Sequence, residues 1–375
     1  MNSKRVTMQD IADACGLSRN TVSKVFNGRG AVPAATKTLI LKKAEELGYR
    51  LPVATEAAGP DPSGKTIALL TANMPVDYHF GTFFVTTFTD QICRAGYTMR
   101  MFEISKDELD AKELPPHFIP EQTAGIVGIE MFDPEYLDFI CDLGLPTIMI
   151  DSPTASTRKL MRCDFISMEN VSSIIEVVKR LKDKGAKKIG FFGDKEHCGS
   201  FHDRFSGLCI ASETLGLEDP YKYSILAPDS SPYGDTDWIA GQLDRLAVLP
   251  DAFVCANDYL AIHMIYALKQ KGLSIPNDIM VTGFDGITQS ALADPPLTTV
   301  TIPGVEIGRR AADILLNRIK TPDCRTPKGA GSPVFIQIKE PLLFRRDQPL
   351  PPLPPGPPPK PPGGVWPPPK PPNPP

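Results

Sequence analysis

Arg19, Asn20 and Lys24 stand together in the stretch Ser18-Arg-Asn-Thr-Val-Ser-Lys-Val-Phe-Asn27. Arginine pairs bidentately with guanine and asparagine with adenine, and lysine serves guanine or phosphate. An exposed helix turn carrying them can therefore read base edges in a DNA major groove. Taken alone, the pattern better fits a solvated polar face on a helical hairpin. A second set lies far downstream. Asp151 closes the apolar run PTIMID, Asn257 and Asp258 follow DAFVCA, Asp285 closes DIMVTGFD, and Arg204 opens a helical stretch soon after KKIGFFG. Carboxylates and an amide exchange hydrogen bonds with hydroxyls, and arginine adds a bidentate donor. Such a set suits a polyol, and a purine or nucleoside equally well. A carboxylate at a strand end is more often a helix cap, the role that Asp258 fits.

The first set needs two short helices. Thr7-Met8-Gln9-Asp10 matches a T-x-x-D capping pattern, which predicts a helix from about Met8 to Ala14. Gly16 then breaks the chain, and Ser18 caps a second helix running to about Phe26. On that helix Val22, Val25 and Phe26 share one face, while Asn20, Lys24 and Asn27 fall opposite. Arg19, in the first turn, reaches past the helix end. A third helix is expected from about Ala35 to Leu47, with Ile40, Ala44 and Leu47 inward. Two helices joined by a short glycine turn are the helix-turn-helix signature.

The second set needs a sheet. From Lys65 onward, short apolar runs such as TIALLTA, AGIVGIE, PTIMID, KKIGFFG, DAFVCA and DIMVTGFD alternate with helix-length amphipathic segments. That alternation indicates parallel strands covered on both faces, a doubly wound α/β body. Ligands of such sheets bind beyond the carboxyl ends of the strands.

The chain of 375 residues carries a net charge of −4, but residues 1–50 hold +5 and the remainder −9. A basic module on an acidic body suits a nucleic-acid contact confined to one end. No apolar run approaches the roughly 18 residues of a membrane span, and the start lacks a secretory pattern, so a cytoplasmic protein is expected. The eight cysteines form no C-x-x-C pair and no Cys/His cluster, which argues against zinc or a disulfide scaffold. Dinucleotide, nucleophile-elbow, P-loop and metal-ligand spacings are also missing, so neither catalysis nor a cofactor is expected.

The segment Val6-Thr-Met-Gln-Asp-Ile-Ala-Asp-Ala-Cys-Gly-Leu-Ser-Arg-Asn-Thr-Val-Ser-Lys-Val-Phe-Asn27, with its T-V-S-x-V core and a later Leu-Gly-Tyr49, closely resembles the start of the lactose-repressor/galactose-repressor (LacI/GalR) family. The resemblance implies a DNA-binding head over residues 1–50, in which Arg19, Asn20 and Lys24 choose the operator sequence. It makes Thr21, Ser23 and Asn27 phosphate contacts, and counts Thr7 and Ser18 with the DNA-binding set. After the tyrosine the family carries a proline and a hinge helix with an Ala-Arg-x-Leu core. Residues 51–64 here lack that arginine and leucine, and Pro60 and Pro62 limit any helix to Val53–Ala58. A short tether is expected instead of a minor-groove wedge.

For residues 65–346 the resemblance implies an effector domain similar to periplasmic sugar-binding proteins, with two doubly wound subdomains and three crossings. One subdomain is expected at about 65–165 and 294–326, the other at about 166–293 and 327–346. Arg204, Asp285 and Asn257 match the family's ligand-binding positions, with Asp151, Tyr233 as a stacking aromatic, and Phe80 as further carry-overs. A sugar or sugar derivative is the first expected effector and a nucleoside or purine the second. A homodimer over a palindromic operator in the nucleoid is implied. A solute-binding protein without DNA function is the alternative. Residues 349–375 contain 17 prolines and should be extended.

Overall fold

The computed structural model describes residues 8–26, 36, 39–40, 42–44, 66–72, 81–154, 162–321 and 333–339. Thr7, Asn27, Phe80, the 51–64 linker and the proline-rich segment lie outside the described residues.

The head begins with α1 (Met8–Cys15) and α2 (Arg19–Phe26). Gly16 ends α1 at φ +64, a left-handed conformation that glycine adopts without steric cost. Ser18 then caps α2, its Oγ accepting from Thr21 N at 3.1 Å. Ile11, Ala12, Val22 and Val25 are buried together with Ile40 and Ala44, which lie on a third helical stretch. The apolar spacing of α2 thus turns inward as expected.

The body continues with β1 (Thr66–Thr71), α3 (Gly81–Arg94), β2 (Thr98–Glu103), α4 (Lys106–Ala111) and β3 (Thr123–Ile129). It proceeds through α5 (Pro134–Asp142), β4 (Thr147–Ile150), β5 (Asp164–Met168), α6 (Val171–Asp183), β6 (Ile189–Phe192) and α7 (Gly199–Leu215). The remainder is α8 (Thr236–Arg245), β7 (Ala252–Cys255), α9 (Asp258–Gln270), β8 (Met280–Asp285), α10 (Thr288–Leu292), β9 (Thr298–Thr301), α11 (Gly304–Lys320) and β10 (Phe335–Ile338).

Two wholly parallel sheets result, one ordered β10-β5-β4-β3-β1-β2 and the other β6-β7-β8-β9. In β1, Ile67 and Leu69 enter one core while Ala68 and Leu70 enter the other. Both faces of the sheet are therefore covered, as parallel sheets require.

The late strands exchange places relative to the sequence expectation. β9 pairs with β8 in the four-stranded sheet, and β10 pairs with β5 in the six-stranded one. The chain crosses after β5 and again after β9, so α11 and β10 both lie with the six-stranded sheet, two crossings among the described residues in place of the three expected. Arg318 on α11 explains where β10 goes. Its guanidinium grips both oxygens of Asp164 at 2.8 and 2.7 Å, and Asp164 also accepts from Val334 N just ahead of β10.

Candidate effector cleft and DNA-reading helix

In the six-stranded sheet the connection direction reverses between β1 and β3, and in the other sheet the strand ends face the same crevice. Three acidic residues close strands there with backbones in the left-handed region: Glu130 after β3 at φ 55, Asp151 after β4 at φ 65, and Asp285 at the end of β8 at φ 115. Each such non-glycine conformation costs roughly 1–3 kcal/mol and clusters at ligand sites in general.

Arg204, on the first turns of α7, is 2 % exposed. Its Nε donates to Asn170 Oδ1 at 2.9 Å, and Nη1 donates to Ala256 O at 2.5 Å while pairing with Asp285 Oδ1 at 3.5 Å. The guanidinium lies over the Phe284 ring at 3.7 Å from its centroid, with Phe201 at 5.5 Å. These contacts hold the guanidinium in place between α7 and the ends of β7 and β8. Gly207 lets α7 approach closely, since a Cβ there would stand 2.8 Å from Val171 O.

Asp151 joins the two halves. Its Oδ1 accepts from Ser152 N at 2.7 Å, its carboxylate meets the Ser200 hydroxyl and the Cys198 thiol, and Ser152 O accepts from Gly199 N at 2.7 Å. Burial holds the Asp151 carboxyl above the usual range, against the Ser200 bond, the Ser152 amide and the Arg204 charge.

The Asn257–Asp258 pair is reassigned. Asn257 is the helix cap, its Oδ1 accepting from Leu260 N at 2.9 Å. Asp258, expected as the cap, instead holds the turn that carries Asp285. Its Oδ2 accepts from Ile287 N at 2.9 Å, and it packs so tightly on β8 that a Cβ at Gly283 would lie 2.2 Å from Oδ1. Burial, and then the neighbouring Asp285 carboxylate, push the Asp258 acid up to about 8.

Tyr233 does not line the cleft as a stacking face. It is 7 % exposed, packs edge-on against Phe192 and Trp238, and donates its hydroxyl to Ala227 O at 2.6 Å. Among the described residues, the aromatic groups that meet at the crevice are Phe132, beyond β3, and His197 with Phe201 from the other half, each phenyl centroid 5.1 Å from the imidazole. His197 Nδ1 lies 3.4 Å from Asp229 Oδ2. Burial alone would lower its pKa, but Asp229, with Glu130 and Asp151 behind it, outweighs burial and holds it above the ordinary value. Glu130 and His197 were not singled out from sequence. Glu130 ends AGIVGIE as Asp151 ends PTIMID, so the same signal marks it.

On the head, Arg19 is exposed in the first turn of α2, and Asn20, Ser23 and Lys24 follow along that helix. Ser18 and Thr21 share a hydroxyl bond at 2.9 Å at its start. Among the described residues no helix is long and apolar enough to cross a membrane, and no acidic, cysteine and histidine cluster could hold a metal.

Residues 7–51 match the family described as bacterial regulatory proteins, lacI family, and residues 178–335 match a periplasmic binding protein-like domain. The HTH-type transcriptional repressor CytR of Escherichia coli (strain K12) is 25 % identical over 325 residues, covering 84 % of this chain and 90 % of that protein. Among solved structures, a complex of the transcriptional regulator CelR with cellobiose aligns with TM-score 0.64 and 21 % identity, over 91 % of this chain and 99 % of its own. The lac repressor dimer bound to operator and the anti-inducer ONPF aligns with TM-score 0.59 and 22 % identity, over 84 % and 93 %. The head, the two parallel sheets and these relatives agree: the chain belongs to the lacI family of bacterial regulatory proteins, a DNA-binding helix-turn-helix joined to a periplasmic-binding-protein-like body.

Proposed function

We propose that the chain is a sequence-specific DNA-binding repressor whose hold on its operator is set by a sugar or sugar derivative bound between the two sheets. The observation that carries the ligand class is the convergence of Asp151 and Asp285, both at positive φ, on the Arg204 guanidinium, with Glu130, also at positive φ, near His197. Carboxylates from both sheets stand in that crevice, which favours a ligand rich in hydroxyl donors. Asp151 and Asp285 accept from hydroxyls, Arg204 and Asn257 donate, and Phe80 adds an aromatic face. The cellobiose bound to CelR supports the same class.

On DNA, Arg19, Asn20 and Lys24 read bases, while Thr7, Ser18, Thr21, Ser23 and Asn27 hold the backbone and fix register. Two copies of the chain set two heads over a palindromic operator, and closure of the cleft changes their spacing. The body binds without turnover, and the protein works in the cytoplasm on nucleoid DNA. The Phe132, His197 and Phe201 cluster favours a second reading, a nucleoside or purine stacked on those rings.

A thermal-shift screen of the full chain against sugars and nucleobases tests the ligand class. A ligand at ~100 times its Kd stabilises by ~2.7 kcal/mol. A sugar is expected to give that shift, and the Asp285→Ala variant to lose it. A shift from nucleobases alone selects the second reading, and silence from both classes contradicts the proposal.

A further inference from the structure

Cys141 and Cys163 meet at the amino-terminal end of the strands of the six-stranded sheet, away from the cleft, Cys141 in the last turn of α5 and Cys163 directly before β5. Arg162 fixes the meeting. Its Nη1 donates to Asp142 Oδ1 at 2.8 Å and its Nη2 to Asp138 O at 2.7 Å, with Nε 3.4 Å from Asp138 Oδ1. Asp138, Cys141 and Asp142 share one helix face by i, i+3, i+4 spacing. The residue after Arg162 is thereby brought toward Cys141, and the two thiols are neighbours. Both pack in one apolar cluster, Cys163 at 6 % exposure and Cys141 half-buried.

We infer that Cys141 and Cys163 form a dithiol modification site that a small disulfide, such as oxidised glutathione, converts to an intramolecular disulfide. The two cysteines are not equivalent. Cys141 is the more exposed of the two, Cys163 being buried, and the Arg162 guanidinium near Cys141 favours its thiolate. Cys141 is therefore the attacking thiolate and Cys163 the resolving thiol.

In the first step the Cys141 thiolate attacks one glutathione sulfur, the glutathione disulfide breaks, and one glutathione thiolate leaves. In the second, Cys163 gives its proton to a leaving thiolate and attacks the Cys141 sulfur, releasing the second glutathione. Two protein thiols are oxidised and one disulfide is reduced to two thiols. The new bond ties α5 to the strand whose next residue, Asp164, holds Arg318 and the approach to β10.

The test is made on the full, reduced chain incubated with oxidised glutathione, alkylated under denaturing conditions, digested without reductant and analysed by mass spectrometry. The expected result is a Cys141–Cys163 linked peptide that dithiothreitol releases, while exposed Cys93 carries only glutathione. A Cys163→Ser chain should trap glutathione on Cys141. Glutathione persisting on Cys141 in the unsubstituted chain, or Cys141 left unmodified while Cys93 reacts, overturns the inference. None of these outcomes depends on the effector or the operator.

Discussion

Arg204 Nε donates to Asn170 Oδ1 at 2.9 Å, which joins the floor of the cleft to the crossover between the two sheets. Asn170 is wholly buried just beyond β5, and its Nδ2 donates to Met168 O at 3.0 Å and Ser200 Oγ at 3.2 Å. Any movement of the guanidinium on ligand binding is thereby felt at the crossover. Asn170→Ala leaves the Arg204 Nε–H buried without its acceptor, at a cost of about 1–3 kcal/mol. Urea unfolding of the full chain should show that loss, and Asn170→Asp, which keeps an acceptor beside the cation, should recover part of it. Equal loss in both variants would contradict the role given to Oδ1.

Asp258 gives the stability curve a sign. Its acid sits at about 8 in the folded chain against an ordinary 3.8, so the folded state binds the extra proton between those values. Stability must then fall as pH rises through that window and level off above it. Asp258→Asn carries no such proton and should flatten the decline between pH 5 and 8. Thermal melts across that range check this, and parallel curves for the two proteins would count against it.

His197 works in the same sense, over a window that begins at its ordinary value. Its raised value means a stabilisation complete below about 6.5 that is lost as pH climbs through the folded value. Asp229→Asn removes the main upward cause and leaves burial, the largest influence, acting downward. Ring-proton NMR titration should therefore find the imidazole shifted down in the variant. An unmoved titration would show that Asp229 does not govern it.

Local signals were legible in the sequence, and distant ones were not. Gly16, the Ser18 cap and the Val22, Val25 face depend on neighbours within a few residues, and the structure repeats them. The carboxylates ending apolar runs were equally readable, because strand ends and crevice coincide in a parallel sheet. Asn257 and Asp258 both suit a cap by residue type, and only the turn at Gly286 and Ile287 decides which one serves. Tyr233 looked like a stacking aromatic, but Phe192 and Trp238 claim it. The exchange of β9 and β10 was hidden because four-residue strands do not name their sheet. That choice rests on Arg318 and Asp164, 154 residues apart.

On the head, Arg19→Ala should lose about 1–3 kcal/mol on the preferred operator and relax the base preference at one position. Thr21→Ala should weaken all duplexes alike, since a backbone contact carries little sequence information. Selection from a randomised duplex pool, followed by anisotropy titrations at fixed salt, separates the two patterns. Identical loss of preference in both variants would contradict the division of labour.

The most direct measurement of the whole account is operator affinity of the full chain with and without a small molecule that raises its melting temperature. The operator is taken from the pool selection, and the comparison is repeated with Asp285→Ala. The account predicts that the ligand changes operator affinity by about fivefold or more, within the usual range of coupling energies, and that the variant loses this response. A ligand that stabilises the body while leaving operator affinity unchanged would contradict it.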